Sequence, residues 1–212
     1  MFSTVMIATA ANNKLYWYTS RSAGMVAWSV CTASILFGLA LSTRLVRRRG
    51  APAWLLDLHR FLGLLSIVFT ALHMVALYLH SKVEFKEFPF GPPELFILFR
   101  SKYAPGAVAW GIVAFYLLVA VQVSSWLMKR IRRKVWHTIH LSSFLMFAFA
   151  TVHSFTAGTD RHNRLVQWLA LTGGAMVFFL VVFRLLAPKK AQLAEERAAR
   201  EAAKAGAAAV SR

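Results

Sequence analysis

Residues 54–80 read WLLDLHRFLGLLSIVFTALHMVALYLH, a run that is almost entirely apolar and yet contains three histidines. About 20 consecutive apolar residues are enough for a helix to cross the hydrocarbon core of a bilayer. Ionisable side chains at that depth are costly; a single histidine there can be a hydrogen-bonding group between helices, but such residues are functional-site candidates by default. This stretch therefore predicts a membrane-spanning helix that carries chemistry as well as a lipid-facing surface.

The composition of the whole chain supports a membrane protein. Of its 212 residues 58% are hydrophobic, although the formal net charge is +17. A soluble domain this apolar would expose large aggregation-prone patches. The basic residues lie in short clusters between long apolar runs, so we attribute the charge to membrane topology and predict no nucleic-acid partner. The single cysteine, Cys31, excludes a disulfide framework and any CxxC metal or CxxCH haem-attachment motif.

Five apolar runs are long enough to span a bilayer, and helices are expected because lipid offers no partner to unpaired backbone groups. We predict an all-α integral membrane protein, a bundle of about five transmembrane helices. The predicted spans are residues 22–43, 53–79, 105–128, 135–157 and 165–187. The corresponding domains are an outer N-terminal segment at 1–19, a transmembrane domain at 20–187 and a cytoplasmic Ala-rich, charged tail at 188–212.

The distribution of basic residues predicts the orientation. The loops after spans 1 and 3 are strongly basic, with the sequences RLVRRR (44–49) and KRIRRK (129–134), whereas the opposite loops mix acidic and basic residues. Basic loops remain on the cytoplasmic side. We therefore expect a multi-pass protein of the cell inner (plasma) membrane, with its N-terminus outside and its C-terminus in the cytoplasm, in contact with anionic lipid.

Four histidines lie at matched depths on two of the predicted spans. His59 and His73 are fourteen residues apart on span 2, and His140 and His153 are thirteen apart on span 4. Each spacing corresponds to about 20 Å of helix. Because both spans run from inside to outside, His59 shares an inner level with His140, and His73 an outer level with His153. Facing imidazoles suit the two axial bonds of a haem iron, so we predict two stacked bis-His haem b sites with these four metal ligands.

Helix periodicity places one restriction on this arrangement. Fourteen residues return to within about 40° of the starting face, whereas thirteen leave the second ring about 140° away. Span 4 therefore needs a kink, a tilt or a local 3₁₀ or π turn between His140 and His153. The alternative is that the two haems lie on different sides of span 4.

Arg60 is the most deeply placed arginine and a candidate cofactor-binding residue. It would either pair with a propionate of the inner haem or extend to the cytoplasmic interface. Three further histidines, His80, His137 and His162, are predicted to be solvated at the interfaces or in the outer loop. His80 lies seven residues after His73 on the same face, so the alternative for it is a place at the edge of the outer haem or the role of ligand instead of His73.

Two stretches carry a family resemblance: DLHRFLGLLSIVFTALH (57–73) and VWHTIHLSSFLMFAFATVH (135–153). They resemble the ferric reductase-like transmembrane domain, found in eukaryotic ferric reductases, in NADPH oxidases and in the haem membrane subunit of a bacterial periplasmic methionine sulfoxide reductase system. The resemblance covers roughly residues 20–187. It implies that His59 and His140 bind an inner haem, and that His73 and His153 bind an outer one.

The resemblance also sets the expected function and its alternatives. Ferric reductases and NADPH oxidases carry a cytoplasmic FAD and NADPH domain after the last span, and no GxGxxG motif follows a strand here. We therefore expect an electron-transfer oxidoreductase subunit without its own nucleotide domain. Its donor would be a cytoplasmic-side quinol or a separate flavoprotein, with flavin bound by that partner, and its acceptor would lie outside.

Two alternatives remain open from the sequence. One is a single-haem membrane subunit of a periplasmic reductase such as a sulfoxide reductase. The resembling bacterial subunit has an arginine near the position of His59, so the histidine found here favours two haems. The other alternative is a haem-free transporter or proton-relay protein that uses the same histidines.

Overall fold

A computed structural model describes residues 2–42, 53–84 and 90–186, with three isolated positions in the tail, and side chains within 14–42, 53–82 and 90–185. These residues form helices joined by turns and contain no strand, which confirms the all-α prediction. The basic loop at 44–49 and nearly all of the predicted tail at 188–212 lie outside the described residues. The helices are α1 (Phe2–Ser42), α2 (Ala53–Glu84), α3 (Pro92–Phe96), α4 (Pro105–Trp126), α5 (Arg133–Leu141), α6 (Ser143–Ala157) and α7 (Arg164–Leu186).

Five helical segments within the described residues are long and apolar enough to cross a membrane, as predicted. They are Lys14–Ser42, Ala53–Lys82, Pro105–Trp126, Arg133–Ala157 and Arg164–Leu185. Large apolar side chains cover the outside of the bundle; Trp168 and Phe178 of α7, for example, are 67% and 71% exposed. A surface this apolar is suited to lipid and not to water. The protein is therefore a multi-pass membrane protein.

Helix α1 continues through the predicted boundary between the outer segment and span 1. It begins at Phe2, and the sequence between that residue and the predicted start of the span contains no proline or glycine that would end a helix. The division at residue 20 therefore does not coincide with a break in secondary structure.

The fourth span is broken into α5 and α6 at Ser142. The amide N–H of Ser142 donates to the carbonyl of Ile139 at 3.0 Å, and its hydroxyl donates to the same carbonyl at 2.6 Å. A hydrogen bond to the residue three positions back is the tighter 3₁₀ pattern, and it changes the rotation per residue. The local adjustment predicted for span 4 is thus present, and it lies between His140 and His153.

The packing of the helices leaves a space between the two spans that carry the histidines. Helix α1 packs along α2, and α4 packs along α6, whereas α2 makes few backbone contacts with α5 or α6. A buried apolar core fills the region where α1, α6 and α7 meet; it consists of Ile35, Leu39, Met146, Phe147 and Val177. This core fixes the relative position of the two helix pairs from the side.

Candidate functional site

The structure brings the four predicted histidines together in the two predicted pairs. The ring centres of His59 and His140 are 6.0 Å apart, and their planes make an angle of 75°. The ring centres of His73 and His153 are 6.5 Å apart, with planes at 80°. Each pair joins α2 to the fourth span, one pair toward each end of the bundle. Following the predicted orientation, we call His59 and His140 the inner pair and His73 and His153 the outer pair.

These separations fit a single metal ion between two imidazoles. Two rings bound end-on to one ion, with metal–nitrogen bonds of about 2.0 Å, have centres about 6 Å apart. Among the described side chains, no group of three or more His, Cys, Asp or Glu could hold a metal ion. A site of two histidines therefore needs the remaining ligands from elsewhere, and a porphyrin supplies four nitrogens around its iron.

Hydrogen bonds orient three of the four rings. The Nδ1–H of His73 donates to the carbonyl of Ser20 at 2.7 Å, and that of His59 to the carbonyl of Ser34 at 2.8 Å. The Nδ1–H of His153 donates to the carbonyl of Ala107 at 2.8 Å. Because a carbonyl only accepts, Nδ1 carries the proton and Nε2 keeps its lone pair. Metal-binding histidines are commonly held in this way, because a backbone carbonyl accepts from the ring nitrogen that does not bind the metal.

Glycines on α1 give the rings access to these carbonyls. Gly24 lies four residues after Ser20, and Gly38 lies four residues after Ser34. A Cβ at either glycine would lie 3.0 Å from the ring of the α2 histidine that faces it. Residue i+4 of a helix lies over the carbonyl of residue i on the same face, so only a very small side chain leaves that carbonyl open.

Helix α4 repeats the arrangement at its outer level. Gly111 lies four residues after Ala107, and a Cβ there would lie 2.7 Å from the His153 ring. These supporting residues were not predicted from the sequence. The detectable signal was the recurrence, in span 1, of Ser-x-x-x-Gly after fourteen residues, the same spacing that separates the two histidines of span 2.

His140 is held differently from the other three histidines. Its nearest partner at Nδ1 is the hydroxyl of Ser125, at 3.5 Å, which is at the limit of a hydrogen bond. The ring of Trp136, one turn earlier on α5, stacks on it with centres 5.0 Å apart and planes at 23°. The indole Nε1 of Trp136 is buried and has no hydrogen-bond partner among the residues the structure describes.

A large cavity surrounds the outer pair. It has a volume of 790 Å³ and reaches from Met146 in the middle of the bundle, past His73 and His153, to Arg21 and Asp160 at the outer end. Arg21 of α1 forms an ion pair with Asp160 of the 3₁₀ helix Thr159–His162, and its Nε donates to that carboxylate at 2.9 Å. The cavity is within the size range of small-molecule and cofactor sites.

The remaining candidate residues do not belong to either pair. The side chain of Arg60 is 60% exposed and lies 3.7 Å from the carboxylate of Asp57, on the surface of α2. Its binding to a propionate stays a prediction. His137 and His162 are exposed. His80 is half-buried and lines the same cavity as His73 and His153, and its ring lies against Trp17 with centres 5.2 Å apart and planes at 37°.

Comparison with known proteins gives one family. The model of the family described as "Ferric reductase like transmembrane component" matches residues 23–151, more than half of the chain. The match begins one residue before Gly24 and ends two residues before His153, so it includes three of the four paired histidines. Neither a curated protein nor a solved structure matches significantly.

Proposed function

Because this chain belongs to the family of ferric reductase-like transmembrane components, we propose that it is a di-haem membrane cytochrome b. The family and the five apolar helices give it a redox-related role in a membrane. The specific proposal is transmembrane electron transfer, with His59 and His140 as axial ligands of an inner haem and His73 and His153 as ligands of an outer one. The bound haems would supply one-electron redox chemistry at two depths.

The observation that carries the proposal is the pairing of the histidines at two levels. Both pairs have the ring separation that one metal ion requires, and three of the rings present Nε2 because Nδ1 is engaged by a carbonyl. The two levels are about 21 Å apart along α2. A proton-relay role would instead be expected to place the histidines in a continuous hydrogen-bonded chain with acidic residues.

The direction and partners follow from the predicted topology. Electrons would enter at the inner haem from a cytoplasmic flavoprotein or a membrane quinol, and would leave from the outer haem to an acceptor outside the inner membrane. The cavity at the outer pair extends to the outer end of the bundle, which supports electron exit on that side. Flavin, where it takes part, would be bound by the partner protein.

One observation supports the single-haem alternative. The outer pair has two carbonyl-bound rings and a large cavity, whereas His140 at the inner level has no main-chain acceptor among the residues that the structure describes. A subunit of a periplasmic reductase with only the outer haem would need the outer pair alone. This second candidate predicts that His59 and His140 are dispensable for haem content.

The test is haem per polypeptide in detergent-purified protein, together with a dithionite-reduced minus oxidised visible spectrum. We expect two low-spin b-type haems in the unchanged protein and one after replacing either member of a pair, as in His73→Ala or His140→Ala. His162→Ala, which changes an exposed histidine, serves as the matched control and should retain both. One haem in the unchanged protein, retained in full in His59→Ala and lost in His73→Ala, would support the single-haem candidate. No haem after expression with ample haem would overturn both.

The direction is tested separately in sealed vesicles of known orientation. A membrane-impermeant oxidant outside right-side-out vesicles should reoxidise both haems of the unchanged protein. In His73→Ala, which is expected to keep only the inner haem, the same oxidant should reoxidise that haem slowly. Equal reoxidation in the two proteins would contradict exit through the outer haem.

A further inference from the structure

The supporting residues of the four histidines follow one pattern with a single exception. Three rings donate to the carbonyl of a residue that is followed, four positions later, by glycine. On α4 the carbonyl residue and the glycine of this pattern are Ala107 and Gly111, at the level of the outer histidine pair. Fourteen residues later, at the level of His140, the equivalent positions are Val121 and Ser125. The glycine of the pattern is therefore replaced by serine only beneath His140.

Two serine hydroxyls occupy the carbonyl that His140 would otherwise use. The Oγ of Ser125 donates to the carbonyl of Val121 at 2.8 Å, and the Oγ of Ser124 donates to it at 2.9 Å. His140 reaches only the Ser125 oxygen, at 3.5 Å. Its orientation depends more on stacking against Trp136 than on a strong hydrogen bond.

We infer that Ser124 and Ser125 are positioning residues that withhold a main-chain acceptor from His140 and thereby raise the reduction potential of the inner haem. This inference rests on the proposed function. An imidazole whose N–H donates to a carbonyl is a more basic ligand. A more basic axial ligand stabilises ferric over ferrous iron and lowers the potential, and hydrogen bonding around the ligands is one of the means by which proteins set haem potentials.

The test compares two double variants that differ by one methyl group. Ser124→Ala with Ser125→Gly frees the Val121 carbonyl and removes the Cβ above it, which reproduces the arrangement at Gly111. Ser124→Ala with Ser125→Ala removes the same hydroxyls but leaves a Cβ over the carbonyl. Spectroscopic redox titration in a His73→Ala background, which isolates the inner haem, gives the midpoint potential of each.

We expect the glycine variant to have a lower midpoint potential at the inner haem than the unchanged protein. The alanine variant should have the same midpoint potential as the unchanged protein. In the parent background with both haems, the outer midpoint should be the same in both variants. Equal midpoint potentials of the inner haem in the glycine and alanine variants, with haem retained, would overturn this inference and leave the proposed function intact.

The single variant Ser125→Gly, which keeps Ser124, should show a smaller shift of the midpoint potential in the same direction. It replaces the double variant in the test if the double variant does not fold. Absence of inner haem from the unchanged protein would overturn the proposed function itself.

Discussion

The outer and inner histidine pairs have nearly the same ring separation but are held by different surroundings. At the outer level both rings donate to main-chain carbonyls, one from α1 and one from α4, and each ring packs over a glycine. At the inner level only His59 has this support, while His140 stacks on Trp136. Backbone carbonyls of a helix are fixed by the helix itself, whereas a stacked side chain can move. The comparison indicates that the outer site is the more rigid of the two.

The broken fourth span explains why the difference falls on His140. His153 lies within α6, a helix that packs along α4, whereas His140 lies in the second-last position of the short helix α5. The turn at Ser142 ends α5 before α6 begins. The inner histidine therefore does not lie on the helix that positions the outer one.

The largest expected effect is at Gly111. A Cβ there would lie 2.7 Å from the His153 ring, closer than real side chains approach, and α4 and the ring cannot both keep their positions. We expect Gly111→Ala to displace His153 and to reduce haem content from two to one per chain, with loss of the outer haem's spectrum. Gly106→Ala is the matched control, since a Cβ there meets nothing within 4 Å. Two haems in Gly111→Ala would show that the outer site is not as rigid as proposed.

A smaller and symmetric effect is expected from the two glycines of α1. A Cβ at Gly24 or Gly38 would lie 3.0 Å from a histidine ring, so the ring must shift by a few tenths of an ångström. Overpacking of this kind costs about 1–3 kcal/mol. Gly24→Ala should weaken retention of the outer haem on heating, and Gly38→Ala that of the inner haem. A thermal series followed at the haem absorption bands measures both, and loss of the wrong haem in either variant would contradict the assignment of levels.

Removal of the stacking partner should affect only the inner pair. Trp136→Leu keeps an apolar side chain but removes the aromatic contact with His140, a contact worth about 0.5–1.5 kcal/mol. We expect the inner haem to dissociate more readily in detergent, with the outer haem unchanged. Trp168→Leu, on the 67% exposed surface of α7, is the control and should change neither. An equal loss of both haems would indicate a general effect on the bundle.

The smallest effect is expected at Arg60. Its side chain is 60% exposed and pairs with Asp57 three residues earlier, an interaction worth about 0.2–0.5 kcal/mol on a helix surface. Arg60→Gln should retain both haems and lower the inner midpoint only slightly, because one nearby positive charge is removed. Redox titration distinguishes this from loss of the inner haem, which would establish Arg60 as a direct contact of that haem.

Much of the architecture was predictable because it depends on local sequence. The five spans follow from run length and hydropathy, and the need for an adjustment in span 4 follows from the thirteen-residue spacing of His140 and His153. The position of the break was not predictable. Leu141, Ser142 and Ser143 have no proline or glycine among them, so the turn at Ser142 depends on how α5 and α6 pack against α4.

The supporting residues show the same division between local and tertiary information. Sequence alone determined the apolar spans and the depth of each histidine, because hydropathy and helical rise act along one chain segment. Only the tertiary structure decided which carbonyl each ring reaches. It also decided that Gly24, Gly38 and Gly111 leave those carbonyls accessible to the rings, and that Ser125 donates to the carbonyl of Val121 near His140. Such contacts join residues up to about fifty positions apart, and no periodicity within one helix specifies which face of its neighbour it meets.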